Sequence, residues 1–173
     1  MEFSADFLAR VTTFEGSTSY MYLDPAGHVT VGVGHVIASP EDAAAMPFQG
    51  SDAFHDWCRV KRALRGKLIA YYKRCSTCRL TDRGVTTLLK GDLESAVLQL
   101  NAGVPGFATL PLPVQQALCD MAFDLGAARF LESYPALLER VEAADWNGAS
   151  ATCHRDGVTQ ERNDWCSGMF RAA

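Results

Sequence analysis

Phe14-Glu15-Gly16, then Tyr20-Met21-Tyr22-Leu23-Asp24-Pro25-Ala26-Gly27, then Val29-Thr30-Val31-Gly32-Val33-Gly34-His35, passes from the end of a helix into a hairpin. Upstream, Phe3, Phe7, Leu8, Val11 and Phe14 share one helical stripe, and a helix so patterned is expected to stop at Gly16 with Glu15 on its last turn. Tyr20–Asp24 is short and aromatic, and Pro25-Ala26-Gly27 supplies turn chemistry. Val29–His35 alternates with a period of two, as a half-buried strand does. Together these segments predict a small antiparallel hairpin beside a helix end.

Beyond residue 52 the pattern is helical almost to the C-terminus. One helix is expected over Phe54–Tyr72 and another from the capping residue Thr81, with Leu88, Leu89, Leu93, Val97 and Leu100 on one side. A third, Val114–Leu125, is apolar on most faces and is expected to be the buried core helix. Shorter helices follow around Tyr134–Ala151 and Arg162–Phe170. The fold class is α+β, with a small sheet lobe and a larger, mostly helical lobe. At 173 residues the chain suits a single domain. Its parts are the sheet lobe at about 15–50, a basic helical insertion at 51–79, and a helical lobe at 80–173 with the helix at 1–14.

Apolar residues at 48% and charged residues at 21% exclude disordered and fibrous classes. No apolar run reaches the roughly 18 residues of a membrane span. The start, Met1-Glu2-Phe3-Ser4-Ala5-Asp6, is acidic where a secretory signal is basic and then apolar. Residues 57 to 79 hold eight Lys or Arg and no acid, so in a chain of net charge −4 the remainder carries −12. Such a segment is either a solvated helix face or an attractor of anionic polymers.

A carboxyl at a helix C-terminus faces the negative end of the macrodipole, which favours the protonated form that a general acid needs. Glu15 is therefore the candidate acid, with burial behind the hairpin expected to act in the same direction. Asp24 lies nine residues on, in the hairpin, and Thr30 six further, on the returning strand. Glycoside hydrolysis uses two carboxyl groups, and a hydroxyl that both donates and accepts can hold the water.

The motif Glu15-Gly16, Asp24, Thr30-Val31-Gly32-Val33-Gly34-His35 resembles the catalytic segment of the phage-type lysozymes, the endolysins of glycoside hydrolase family 24. The resemblance resumes at Leu80-Thr81, at Asp92-Leu93-Glu94-Ser95-Ala96-Val97, at Ala117–Gly126 and at Val158–Asn163, and leaves out residues 38 to 79. It implies a lysozyme-like fold with the active-site groove between the lobes. Glu15 becomes the general acid, Asp24 the second carboxylate and Thr30 the water-positioning residue. Val36, Phe123 and Ser133 become substrate-binding positions, and His35 is structural, either paired with Asp92 or solvated. Cys153 and Cys166 sit similarly to a disulfide of some phage endolysins, and a bridge or two free thiols both remain open.

Two features depart from the family: the long segment Ala38–Arg79 and the acidic overall balance. In the former, His55-x2-Cys58 and Cys75-x2-Cys78 have zinc-like spacing, against disulfide or free-thiol readings. The expected chemistry requires no metal and no cofactor.

The function implied is a muramidase that cleaves peptidoglycan between N-acetylmuramic acid and N-acetylglucosamine, acting as a monomer, with bacterial cell wall as its partner. Two alternatives stand beside it. One is a non-catalytic wall-binding or inhibitory module on the same scaffold. The other is a helical nucleic-acid binder using residues 57–79, which lacks a reading motif, so nucleic acid is not expected as a partner. The expected route runs from the cytoplasm to the periplasm or cell wall, by a holin lesion as a phage endolysin or by a secretion system as an antibacterial effector. An effector would have a cognate immunity protein.

Overall fold

Two units make up the chain in a computed structural model that describes residues 2–50 and 52–173: one is Leu8–Gly91, the other the residues up to Phe7 with Asp92–Ala173. The first unit begins within α1 (Ala5–Glu15), where Leu8 and Val11 are buried. Gly16 follows at φ +74°, a left-handed conformation that ends the helix as expected.

A three-stranded antiparallel sheet comes next, in the order β1 (Thr18–Leu23), β2 (Val29–Gly32), β3 (His35–Val36). Tyr22 pairs with Thr30 and Leu23 with Val29, while Thr30 pairs with Val36 and Val31 with His35 on the other side. The alternating run Val29–His35 is thus two strands rather than one. Gly34, at φ +83°, turns the chain back after β2. All four residues of β2 are buried, because a central strand with cover on both faces has no solvent face to mark with polar residues.

The single helix expected over Phe54–Tyr72 is replaced by α3 (Ala53–Lys61) and the one-turn α4 (Ile69–Tyr72), with α2 (Pro40–Ala45) before them. Residues 62–68 leave the helix, with Gly66 at φ +67°. Tertiary hydrogen bonds explain the break. The fully buried Asp56 carboxylate accepts from the backbone N–H of Cys78 at 2.7 Å and from Ser76 Oγ at 3.2 Å, and it pairs with Arg59. The buried Tyr72 donates its hydroxyl to the Leu64 carbonyl at 2.7 Å. Both bonds need the chain to fold back between α3 and residue 78, which a continuous helix cannot do. Trp57 Nε1, donating to the Ile37 carbonyl at 2.9 Å, fastens α3 to the segment after β3.

The second unit takes the later part of α5 (Asp82–Gly103), then α6 (Leu112–Leu125), α7 (Ala127–Ser133), α8 (Pro135–Glu142), α9 (Trp146–Thr152) and α10 (Gln160–Arg171). Thr81 caps α5 by accepting from Gly84 N at 3.0 Å, as its position predicts. The helix expected over Tyr134–Ala151 divides into α8 and α9 where Ala144 takes φ +51°. α6 is the core helix, with Val114, Ala117, Leu118, Cys119, Met121 and Ala122 buried.

Asp120, also on α6, is wholly buried among charges. It accepts from Arg155 Nη2 at 2.6 Å and Arg162 Nη2 at 2.7 Å, while Asp124 accepts from Arg155 Nη1 at 2.9 Å. The side chain of Asn163 closes the cluster by bonding the Arg155 backbone N–H and carbonyl, each at 3.0 Å. Burial, and next the charge of Asp120, push the Cys119 thiol up to about 12, so it packs as an inert hydrophobe.

Cys153 and Cys166 are free thiols in this structure, with Cys153 Sγ donating to the Ser150 carbonyl at 3.3 Å and Cys166 Sγ to the Ala117 carbonyl at 4.0 Å. The Cys166 thiol lowers the Cys153 pKa, while the Cys153 thiol and then burial raise that of Cys166. Among the described residues no helix is long and apolar enough to cross a membrane.

Candidate active site

All three proposed catalytic residues lie in the unit Leu8–Gly91. Glu15 is the last residue of α1, at the negative pole of the helix, and is exposed rather than covered by the hairpin as expected. β1 carries Tyr22 and delivers Asp24 immediately after its end. Burial pushes the Tyr22 phenol up, and the charges of Asp24 and then Glu15 push in the same direction. The charges of both carboxyl groups therefore act on the one half-buried phenol.

Asp24 occupies a closed turn. Its backbone N–H donates to the His28 carbonyl and its own carbonyl accepts from Gly27 N, each at 3.0 Å. Gly27 at φ +85° permits this geometry. Its carboxylate is held at both oxygens by one residue. Oδ1 accepts from the His28 backbone N–H at 2.7 Å, and Oδ2 lies 3.1 Å from His28 Nδ1. Burial alone would raise the Asp24 pKa, but the His28 backbone, ring and charge, with the Gly27 N–H, outweigh it and lower the pKa.

The sign follows from linkage. A carboxyl whose folded pKa is depressed favours folding above its ordinary value, and that contribution is lost as the pH falls through the lowered value. His28→Ala is therefore expected to move the Asp24 midpoint upward, as followed by carboxyl NMR titration. An unchanged midpoint would show that the ring does not hold the carboxylate.

Thr30 is buried in β2, and its hydroxyl donates to the His28 carbonyl at 3.2 Å. The hydrogen is thus engaged, which leaves the oxygen lone pairs to accept from a water. Val36, across the ladder from Thr30, is 48% exposed. His28 was not picked out in the sequence. Its signal was a ring-bearing donor four residues after an Asp, closing a turn through Gly.

The long segment after residue 38 contributes as well. Lys61 Nζ donates to the Gly27 carbonyl at 2.9 Å. A Cβ on Gly27 would fall 2.8 Å from Arg65 Cζ, so a side chain there would push that guanidinium aside. Neither contact is readable from spacing, since each joins residues more than thirty positions apart.

Of the remaining sites, His35 is half-buried on β3, and in the other unit Asp92 is half-buried on α5. Phe123 is half-buried on α6 and Ser133 is exposed at the end of α7. His55, Cys58, Cys75 and Cys78 are not gathered as one ligand set: among the described residues no three His, Cys, Asp or Glu lie together as metal ligands. His55 instead bonds Asp52 at 2.5 Å, and Cys78 is buried against Gly50.

A family model described as phage lysozyme matches residues 12–164. Among solved structures, a mutant of the lysozyme of phage P22 matches with a TM-score of 0.60 at 19% identity, covering 99% of this chain and 94% of its own. The muramidase domain of SpmX from Asticaccaulis excentricus gives 0.61 at 19% identity, covering 98% and 97%. An endolysin from the Escherichia coli phage FAHEc1 gives 0.59 at 15% identity, covering 98% and 93%. At these identities the likeness shows the fold. Comparison with curated proteins by sequence finds no match.

Proposed function

This chain belongs to the phage lysozyme family and is a lysozyme-type peptidoglycan hydrolase, and from that premise we propose that it is a muramidase using Glu15, Asp24 and Thr30. The bond cleaved is the β-1,4 link between N-acetylmuramic acid and N-acetylglucosamine. Glu15 gives its proton to the departing glycosidic oxygen. A water hydrogen-bonded to Thr30 attacks the muramic anomeric carbon, while Asp24 remains ionised to accept the water's proton and to stabilise positive charge on the ring. The course is inverting. Val36, Phe123 and Ser133 contact the glycan.

The observation that carries this reading is the contrast between the two carboxyl groups. Asp24 is held as an anion by His28 and its turn, whereas Glu15 stands at the carbonyl end of α1. Two carboxyls kept in different environments are what an acid and its partner require. We further propose that the protein acts as a monomer at the cell wall, as a phage endolysin or as a delivered antibacterial effector. The basic segment favours the effector, whose groove a cognate immunity protein would close.

Turbidity of purified Gram-negative peptidoglycan tests the proposal. Clearing by the wild type, and its loss with Asp24→Asn, is the expected result. Wall that is bound and never cleared would instead assign the chain to non-catalytic wall binding.

A further inference from the structure

Residues 64–70, Leu64-Arg65-Gly66-Lys67-Leu68-Ile69-Ala70, are seven consecutive exposed positions. Three large aliphatic side chains stand among them: Leu68 is 85% exposed, Leu64 63% and Ile69 46%. A single surface leucine needs no explanation, but three within six residues make an apolar patch that does.

Their exposure is built in. The buried Tyr72 hydroxyl fixes the Leu64 carbonyl, the Arg65 guanidinium lies against Gly27, and the Asp56 carboxylate ties α3 to residues 76–78. The base of the tip is thus anchored while its aliphatic side chains face water.

Charge within the segment itself has one sign. Arg62, Arg65 and Lys67 interleave with the leucines. Beyond Ile69, an open cavity of about 520 Å³ is lined by Ala70, Tyr71, Lys73, Arg74 and Arg79, with no acid. Arg74 stacks over the Tyr71 ring at 3.9 Å, and Arg79 is aimed by the Ser76 and Cys78 carbonyls at 2.6 and 2.7 Å. A soluble polyanion would use the cations and have no use for the leucines. An apolar protein face would use the leucines and gain nothing from cations without acids. A surface anionic outside and apolar just beneath uses both.

We propose that residues 62–74, with Arg79, are a peripheral docking surface for an anionic phospholipid bilayer. Lys73, Arg74 and Arg79 take lipid phosphates, and Leu64, Leu68 and Ile69 enter the acyl boundary. The chain lies on the bilayer and does not cross it. The side chains proposed to meet the bilayer, Leu64, Leu68, Ile69, Lys73, Arg74 and Arg79, are not those proposed for the chemistry of Glu15, Asp24 and Thr30.

Cosedimentation of the full chain with vesicles tests it, comparing phosphatidylglycerol mixed with phosphatidylethanolamine against phosphatidylcholine alone. Each Lys or Arg near an anionic bilayer multiplies binding about fivefold, so the preference for anionic vesicles is expected to exceed about tenfold. Leu64→Ser with Leu68→Ser lowers that binding by about tenfold or more, and Lys73→Gln with Arg74→Gln lowers it about as much. Leu98→Ser, at an exposed leucine elsewhere, leaves it unchanged. Clearing of purified wall is unaffected in all three variants. Equal binding to both vesicle types overturns the proposal, as does undiminished binding in the double leucine variant. Retention on soluble polyphosphate without vesicle binding also overturns it, and assigns the cations to a polyanion. Melting temperatures confirm that the variants fold. Should the double variant fail to fold, Leu68→Ser alone decides, because that side chain is almost wholly in solvent.

Discussion

Glu15→Gln is expected to lower the rate of wall clearing by about 10²–10⁴-fold, the range that a positioned general acid contributes. The amide keeps the size and most of the hydrogen bonding of the carboxyl but has no proton to give. The loss should appear in kcat, because the proton is transferred only as the glycosidic bond breaks, and wall binding should be little changed. Asp24→Asn is a useful comparison, since it leaves the acid in place and removes the anion that His28 holds. A Glu15→Gln variant that retained wild-type clearing would take the acid role away from Glu15. A melting curve for each variant separates lost chemistry from lost structure.

The largest expected effect on stability lies in the other unit. Asp120→Ala removes the carboxylate that receives both Arg155 and Arg162, whose side chains are 0% and 4% exposed. Two buried guanidinium groups would then lose the carboxylate they have in common. Leaving a buried charge without its partner costs about 3–5 kcal/mol, a large fraction of the roughly 5–15 kcal/mol that holds a typical domain folded. Urea unfolding should show the midpoint falling accordingly. Asp124→Ala is expected to cost less, because Asp124 is 18% exposed and water can replace part of what it supplies. Equal effects from the two substitutions would mean that burial does not govern the cluster.

The residues decided the local features far better than the distant ones. Gly16 ending α1, Thr81 starting α5 and the apolar run of α6 are each set by neighbours within a few positions, so their signals were readable. The expectation that Val29–His35 is a single strand failed because two glycines at positive φ turned the chain, and period-two alternation says nothing about a turn inside it. The helix expected over Phe54–Tyr72 failed because Asp56 reaches twenty-two residues ahead to Cys78. No helical pattern encodes such a bond.

In the site, the motif located Glu15, Asp24 and Thr30 within one unit. It did not reveal that His28 secures Asp24, or that Lys61 and Arg65 brace the same turn from the long inserted segment. Likewise nothing in the apolar run of α6 shows that Arg155 and Arg162 meet Asp120 from the tail.

The most direct test of the account is the mass of the fragments released from purified Gram-negative peptidoglycan. Hydrolysis by water predicts disaccharide-peptides with unmodified reducing ends at muramic acid, produced by the wild type and lost with Glu15→Gln. Anhydro-muramic ends would contradict the account, because they form when the sugar's own hydroxyl replaces the water that Asp24 and Thr30 are proposed to guide.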